Sequence, residues 1–207
     1  MIKSEQTFDY NKAFNWIEGQ GKMMYGQNFA LNQSDLPVLY KLLAYYLKDE
    51  KTANKHGLSI EKGILLTGPI GVGKTSLINI LKFFLKNEDR YIVKTCRDIS
   101  FEFIEDGYNV IHKYSRGISR QVAIKSFCFD DLGVESSLKY YGNECNVMAE
   151  IILSRYDLFV SQKLMTHITT NLSASEIEEI YGNRIRSRMR EMFNLISFEK
   201  DAPDKRK

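Results

Sequence analysis

A disulfide framework and a zinc knuckle are excluded first. Cys96, Cys128 and Cys145 are odd in number and widely spaced, with no CxxC pair and no histidine at ligand spacing, so buried free thiols are the expected state. Long apolar runs are missing too. No stretch reaches eighteen uninterrupted apolar residues, and the opening Met1-Ile2-Lys3-Ser4-Glu5-Gln6 runs into polar residues without the apolar core of a secretory leader. The expectation is a cytoplasmic protein that does not enter a membrane. Charge of one sign is scarce as well: a net charge of +3 neither requires nor excludes a basic face for nucleic acid. There is no internal repeat and no low-complexity tract.

What is present reads as one globular domain. With 207 residues, 43% of them hydrophobic, the chain can bury one core but is short for two. Asp35 is placed to cap a helix in which Leu39, Leu42, Leu43 and Tyr46 share one apolar face. A polar link at 48–56 leads to a short apolar run at 63–67, a buried strand by its length and flanking glycines. From Lys74 a helix carries Leu77, Leu81, Phe84 and Leu85 on one face. Further strands are expected at 91–95, 126–130, 165–170 and 193–198, with helical stretches near 101–114 and 147–159. This alternation predicts an α/β fold: a parallel five-stranded sheet with helices on both faces and ligands at the carboxyl ends of the strands. The expected division is a helical or linker segment at 1–57, a core at 58–199 and a charged, solvated tail at 200–207.

Gly68-Pro69-Ile70-Gly71-Val72-Gly73-Lys74-Thr75 fits the pattern G-x-x-x-x-G-K-[ST], directly after an apolar strand and opening an amphipathic helix, with Ser76 next in line. Glycines let such a loop curl so that main-chain N–H groups point at phosphate oxygens, and the helix N-terminus adds partial positive charge. Lys74 would reach the β- and γ-phosphates of ATP. Thr75 would offer its hydroxyl to Mg²⁺.

The strand at 126–130 ends in Asp130-Asp131. Asp130 is the expected Mg²⁺ partner through water, and Asp131 is placed to activate the attacking water. A solvated turn after the strand is the alternative reading of the two acids alone, and Glu135 is an alternative to Asp131. The strand at 165–170 finishes in hydroxyls followed by Asn171, a neutral donor that can sense the γ-phosphate or hold the attacking water. His167 is expected in the core. Farther on, Ile185, Met189 and Met192 form an inward helical stripe flanked by Arg184 and Arg188 on one side and Arg186 and Arg190 on the other. One pair can enter a neighbour's phosphate site as an arginine finger and the other can meet DNA; a plain solvated basic helix is the alternative.

As a set, GPIGVGKTS, FDDLG, ITTNLS and YGNRIRSRM resemble the AAA+ ATPases of the DnaC-type helicase loaders and the IstB-type transposition helpers over residues 63–198. The resemblance implies a P-loop NTPase core without a C-terminal helical lid, and ATP and Mg²⁺ as cofactors. It also implies a homo-oligomer with Arg188 as a finger in trans, and contact with single-stranded DNA and with a replicative helicase or transposition protein. It departs in Asp131, where most AAA+ proteins carry Glu, and in the short stretch before the first strand, where loaders carry a helicase-binding domain. The segment from His112 to Arg120 has the basic and aromatic mix that single-stranded DNA contact uses. Two other functions compete with a helicase-loader-like ATPase of replication or a mobile element: a nucleotide-gated adaptor with little turnover, and a P-loop small-molecule kinase.

Overall fold

In a computed structural model of the chain, residues 8–117, 124–135, 138–140 and 143–206 are described. Three helices, α1 (Tyr10–Tyr25), α2 (Leu36–Tyr46) and α3 (Glu50–Lys55), precede β1 (Gly63–Thr67) and α4 (Lys74–Leu81). Then come β2 (Ile92–Thr95), α5 (Cys96–Asp106), α6 (Asn109–Ser115) and β3 (Phe127–Leu132). An antiparallel hairpin, β4 (Leu138–Tyr140) with β5 (Asn143–Cys145), leads into α7 (Val147–Gln162), β6 (Thr166–Thr170), α8 (Ala174–Tyr181), α9 (Asn183–Met192) and β7 (Phe193–Ser197).

Five strands pair in parallel in the order β2-β3-β6-β1-β7. The period of two along each strand divides the core into two layers. Ile64, Leu66, Cys128 and Ile196 pack with residues of α1, α2 and α4, whereas Leu65, Phe127, Phe129, Ile168 and Phe193 pack with residues of α5 to α9. The expected α/β fold with helices on both faces is therefore the observed one. After β7 the described residues form turns and no helical lid. No described helix is long and apolar enough to cross a membrane.

The first helix was not legible as one. Its inward residues Ala13, Ile17 and Gly21 stand at i, i+4 and i+8, and two of them are too small to register as an apolar face. Gly21 is small because the Phe29 ring lies where a Cβ would be, 2.1 Å from its nearest atom. Asp9 caps this helix, its side chain accepting from the Lys12 N–H at 2.9 Å. The helix beginning at Lys74 is shorter than expected and tightens into a 3₁₀ turn at Lys82–Phe84.

Asp35 does not cap its own helix. Its buried carboxylate accepts from the Asn32 N–H at 2.8 Å and pairs with the Lys205 ammonium at 2.6 Å. The tail is accordingly not free in solvent: Ala202 packs against the core and Lys205 donates its main-chain N–H to the Gly71 carbonyl at 3.0 Å.

Two further charge-bearing groups are buried at the amino ends of the strands. His167 lies among Tyr45, Tyr46 and Tyr91, its Nδ1 accepting from the Ile64 N–H at 3.2 Å, and burial pushes its pKa down to about 3. It is the neutral core residue expected of it. Arg155 of α7 is fully buried, and among the described residues its hydrogen bonds go to neutral oxygens. It donates to Thr166 Oγ1 and to the carbonyls of Tyr114, Lys125 and Met165, with Phe127 and Phe129 against the guanidinium. Cys96 and Cys128 are buried free thiols as expected, while Cys145 is half-buried.

Candidate functional site

The loop between β1 and α4 has the conformation that its glycines permit and other residues resist. Gly71 has φ +84° and Gly73 φ +95°, so each sits in the left-handed region where a Cβ is penalised. The turn delivers Lys74 to the first position of α4, and the free N–H groups of that helix open toward the same space. Lys74 is only 5% exposed, and its ammonium donates to the carbonyls of Gly68 and Pro69, each at 2.8 Å, and to Asn171 Oδ1 at 2.5 Å. Burial lowers its pKa, Arg206 adds to the decrease, and the carboxylates of Asp131 and Asp130 oppose it.

Strand order brings the remaining groups together. Because β6 lies between β1 and β3, Asn171 falls between the loop and the acidic strand end. Thr75 Oγ1 lies 3.0 and 2.9 Å from the two oxygens of Asp130. Thr169 donates its hydroxyl proton to Asp130 Oδ1 at 2.6 Å and accepts the Asp131 N–H at 2.9 Å. Thr169 was not singled out in the sequence. Its signal was available, since His167, Thr169 and Asn171 alternate along one direction of the strand and so share a face. Burial raises the pKa of Asp130, and the neighbouring Asp131 charge adds to that, while the bonds from Thr169 and Thr75 and the charge of Lys74 pull the other way.

Asp131 is aimed by a local irregularity. Between Phe129 and Leu132 the pairing with β6 slips by one residue, a bulge, and Asp131 takes φ +56°. Asp is among the few side chains that tolerate this region, at a cost of about 1–2 kcal/mol. The strained residue lines the cavity of about 700 Å³ into which Lys74, Thr75, Ser76 and Asn171 also open. Glu135 does not. Its carboxylate is bonded by the Tyr181 hydroxyl and the Gly133 N–H, and burial raises its pKa.

Of the other loop residues, Ile70 is exposed at the cavity rim and Val72 is buried in the core. Arg188 lies apart. On α9 it stacks over Tyr156 at 5.0 Å and donates to the Arg184 carbonyl at 3.3 Å. The two arginine pairs flank the helix as expected: Arg186 pairs with Glu178, and with Arg190 it borders an apolar groove that includes Pro69 and Leu195. Of the segment expected to meet DNA, His112 to Ser115 lie on or at the end of α6, whereas Arg120 lies outside the described residues.

Oxygen donors from Thr75 and Asp130, adjacent to a loop that offers N–H groups, form a set suited to a hard divalent cation that keeps much of its water. Among the described residues no cluster of three His, Cys, Asp or Glu offers an alternative metal site.

No family model and no curated protein sequence matches the chain. Solved structures do. The DnaC helicase loader superposes with a TM-score of 0.55 at 19% identity, over 82% of this chain and 92% of that one. DnaI gives 0.54 at 17% identity, over 82% and 87%. A protein provisionally described as a primosome component from Streptococcus pyogenes serotype M3 gives 0.57 at 16% identity, over 83% of each. At these identities the likeness is one of fold, and the chain has the α/β fold of these solved structures.

Proposed function

We propose that this chain binds Mg-ATP in the cavity at the carboxyl ends of β1, β3 and β6 and hydrolyses it as a self-assembling, helicase-loader-like ATPase of the cytoplasm. The observation that carries the reading is the convergence of Lys74, Thr75, Asp130, Asp131 and Asn171, from three separate strand ends, beside one glycine loop, with Lys74 bonded to Asn171, Thr75 to Asp130, and Asp131 lining the cavity. In this reading Gly68 to Ser76 hold the triphosphate, with Lys74 against its outer phosphates. Thr75 and Asp130 hold Mg²⁺, which when bound offsets charge on the phosphate oxygens. Asp131 accepts the proton of the attacking water, and Asn171 orients that water or the γ-phosphate.

Arg188 is the finger acting on a neighbour's site. It does not line its own cavity, which supports a role in trans, and its Tyr156 stack holds it for presentation. The partners in this reading are other copies of the chain, single-stranded DNA, and a replicative helicase or transposition protein; the names of the fold's neighbours point to replication. Mixing experiments test it. Arg188→Ala alone should lose about a thousandfold in turnover and regain a share of it when mixed with Lys74→Ala, because each lacks what the other supplies. No recovery on mixing sinks the trans finger.

An adaptor that binds ATP and barely turns it over is favoured by one observation, the short and conformationally strained Asp131 in the water-activating place. Single-turnover assays with single-stranded DNA separate the two. Bound ATP that survives for hours in the assembled form favours the adaptor.

A further inference from the structure

The cavity beside the phosphate loop has a wall that the motifs do not account for. Pro203, Asp204, Lys205 and Arg206 line the same space as Lys74, Thr75 and Asp131. We infer that residues 203–206 belong to the nucleotide site, as a strap closing one wall over Gly71, with Lys205 as the positioning residue that pins it to Asp35. This rests on the nucleotide reading above and adds to it a binding element outside the motifs.

Composition alone would leave Lys200 to Lys207 in solvent, because six of the eight residues are charged and only Ala202 and Pro203 are not. Three contacts act against that tendency. Ala202 enters the core, the Lys205 main-chain N–H reaches the Gly71 carbonyl at 3.0 Å, and the Lys205 ammonium reaches Asp35 at 2.6 Å. The last is the anchor. Asp35 is 1% exposed, so losing Lys205 would leave a carboxylate buried without its cation, the costly outcome for an ion pair. The second acceptor bond of Asp35, from the Asn32 N–H at 2.8 Å, ties the strap to a residue that lines the cavity as well.

The strap also accounts for a glycine. A methyl on Gly71 would fall 1.9 Å from Asp204 Oδ1, so the strap lies directly on the Cα of the phosphate loop. Asp204 is in turn bonded by the main-chain N–H of Arg206 at 3.0 Å and by its guanidinium at 3.2 and 3.4 Å. The Lys205 ammonium is 3.9 Å from where a Gly73 Cβ would be. With each cation matched to a carboxylate, the strap brings little net charge to the loop. Its contribution is therefore enclosure, and enclosure acts chiefly on the rate at which a ligand leaves.

The test is stopped-flow release of fluorescent mant-ADP from the full chain. Asp35→Asn combined with Lys205→Met removes both charges together, leaving no lone buried charge, and should speed release by about tenfold or more. Lys205→Arg should return the rate to within about threefold of the parent, because it restores the pair to Asp35. A melting curve of each variant ensures that only folded protein is compared. Release within about twofold of the parent from the folded double variant would overturn the inference, as would slower release, which would make the segment a plug competing with nucleotide. If the parent itself binds no mant-nucleotide, the nucleotide reading falls and takes this inference with it; unchanged release from a parent that binds defeats the strap alone.

Discussion

The two ends of the central sheet both bury charge, and they do so on different terms. At the amino ends, Arg155 is satisfied by three carbonyls and a threonine hydroxyl, and His167 is held neutral by an aromatic surround. The guanidinium there spends its bonds on the fold. At the carboxyl ends, Lys74, Asp130 and Asp131 bear on one another electrostatically beside an open cavity, and Asp131 keeps a strained backbone. A buried charge wrapped in carbonyls stabilises; buried charges of both signs lining a space for a ligand serve chemistry. The difference can be tested by substitution at each end.

The largest effect is expected at Arg155. Arg155→Met should cost about 3–5 kcal/mol in denaturant unfolding, because three carbonyls and Thr166 lose their donor at once. The affinity of the remaining folded protein for Mg-ATP should be unchanged. A parallel loss of affinity would mean that the two ends are coupled.

Lys74→Ala should do the opposite. Calorimetry should record Mg-ATP affinity lowered by about a hundredfold, equivalent to roughly 3 kcal/mol, with the melting temperature little changed. A protein that melts far lower but binds as before would reverse the comparison.

His167 makes the amino end sensitive to acid. Its folded pKa of about 3 lies below the ordinary 6.5, so the unfolded chain takes up the proton first as pH falls. Stability from this group is complete above pH 6.5 and should decline by up to about 1.4 kcal/mol per pH unit below it, until the folded pKa is reached. His167→Asn keeps an acceptor for the Ile64 N–H and should flatten that slope in urea titrations at pH 4.5 to 6.5. An unaltered slope would place the acid sensitivity elsewhere.

The smallest effect separates strain from chemistry. Asp131→Gly should raise stability by about 0.5–1 kcal/mol, since glycine accepts φ +56° without penalty, and should abolish turnover. A variant no more stable than the parent would argue that the bulge carries no strain.

Much of the site could be read before the fold was known, and the pattern of what could not is instructive. Gly68 to Thr75 were legible because glycine spacing, lysine and hydroxyl are contiguous. Asp130, Asp131 and Asn171 were legible as residues, but their meeting depended on β6 inserting between β1 and β3. Thr169 is one of several hydroxyls in a polar strand, and apart from the face it shares with Asn171 nothing local marks it as the one whose bonds to Asp130 and Asp131 join the site together. Helix α1 was hidden by its small inward residues. Asp35, expected as a helix cap, turned out to be bound to a lysine 170 residues away.

The sequence by itself determined the phosphate loop, the alternation of strand and helix, and the acids and amide at the strand ends. These follow from dihedral preference and hydrophobic period over a few neighbouring residues. Only the tertiary structure decided where Asp35, Arg155 and Lys205 find their partners, and which of the two roles each buried charge takes. Nothing local distinguishes a charge that will be solvated from one that will be buried, because the free energy of either outcome is set by what chain folding brings beside it.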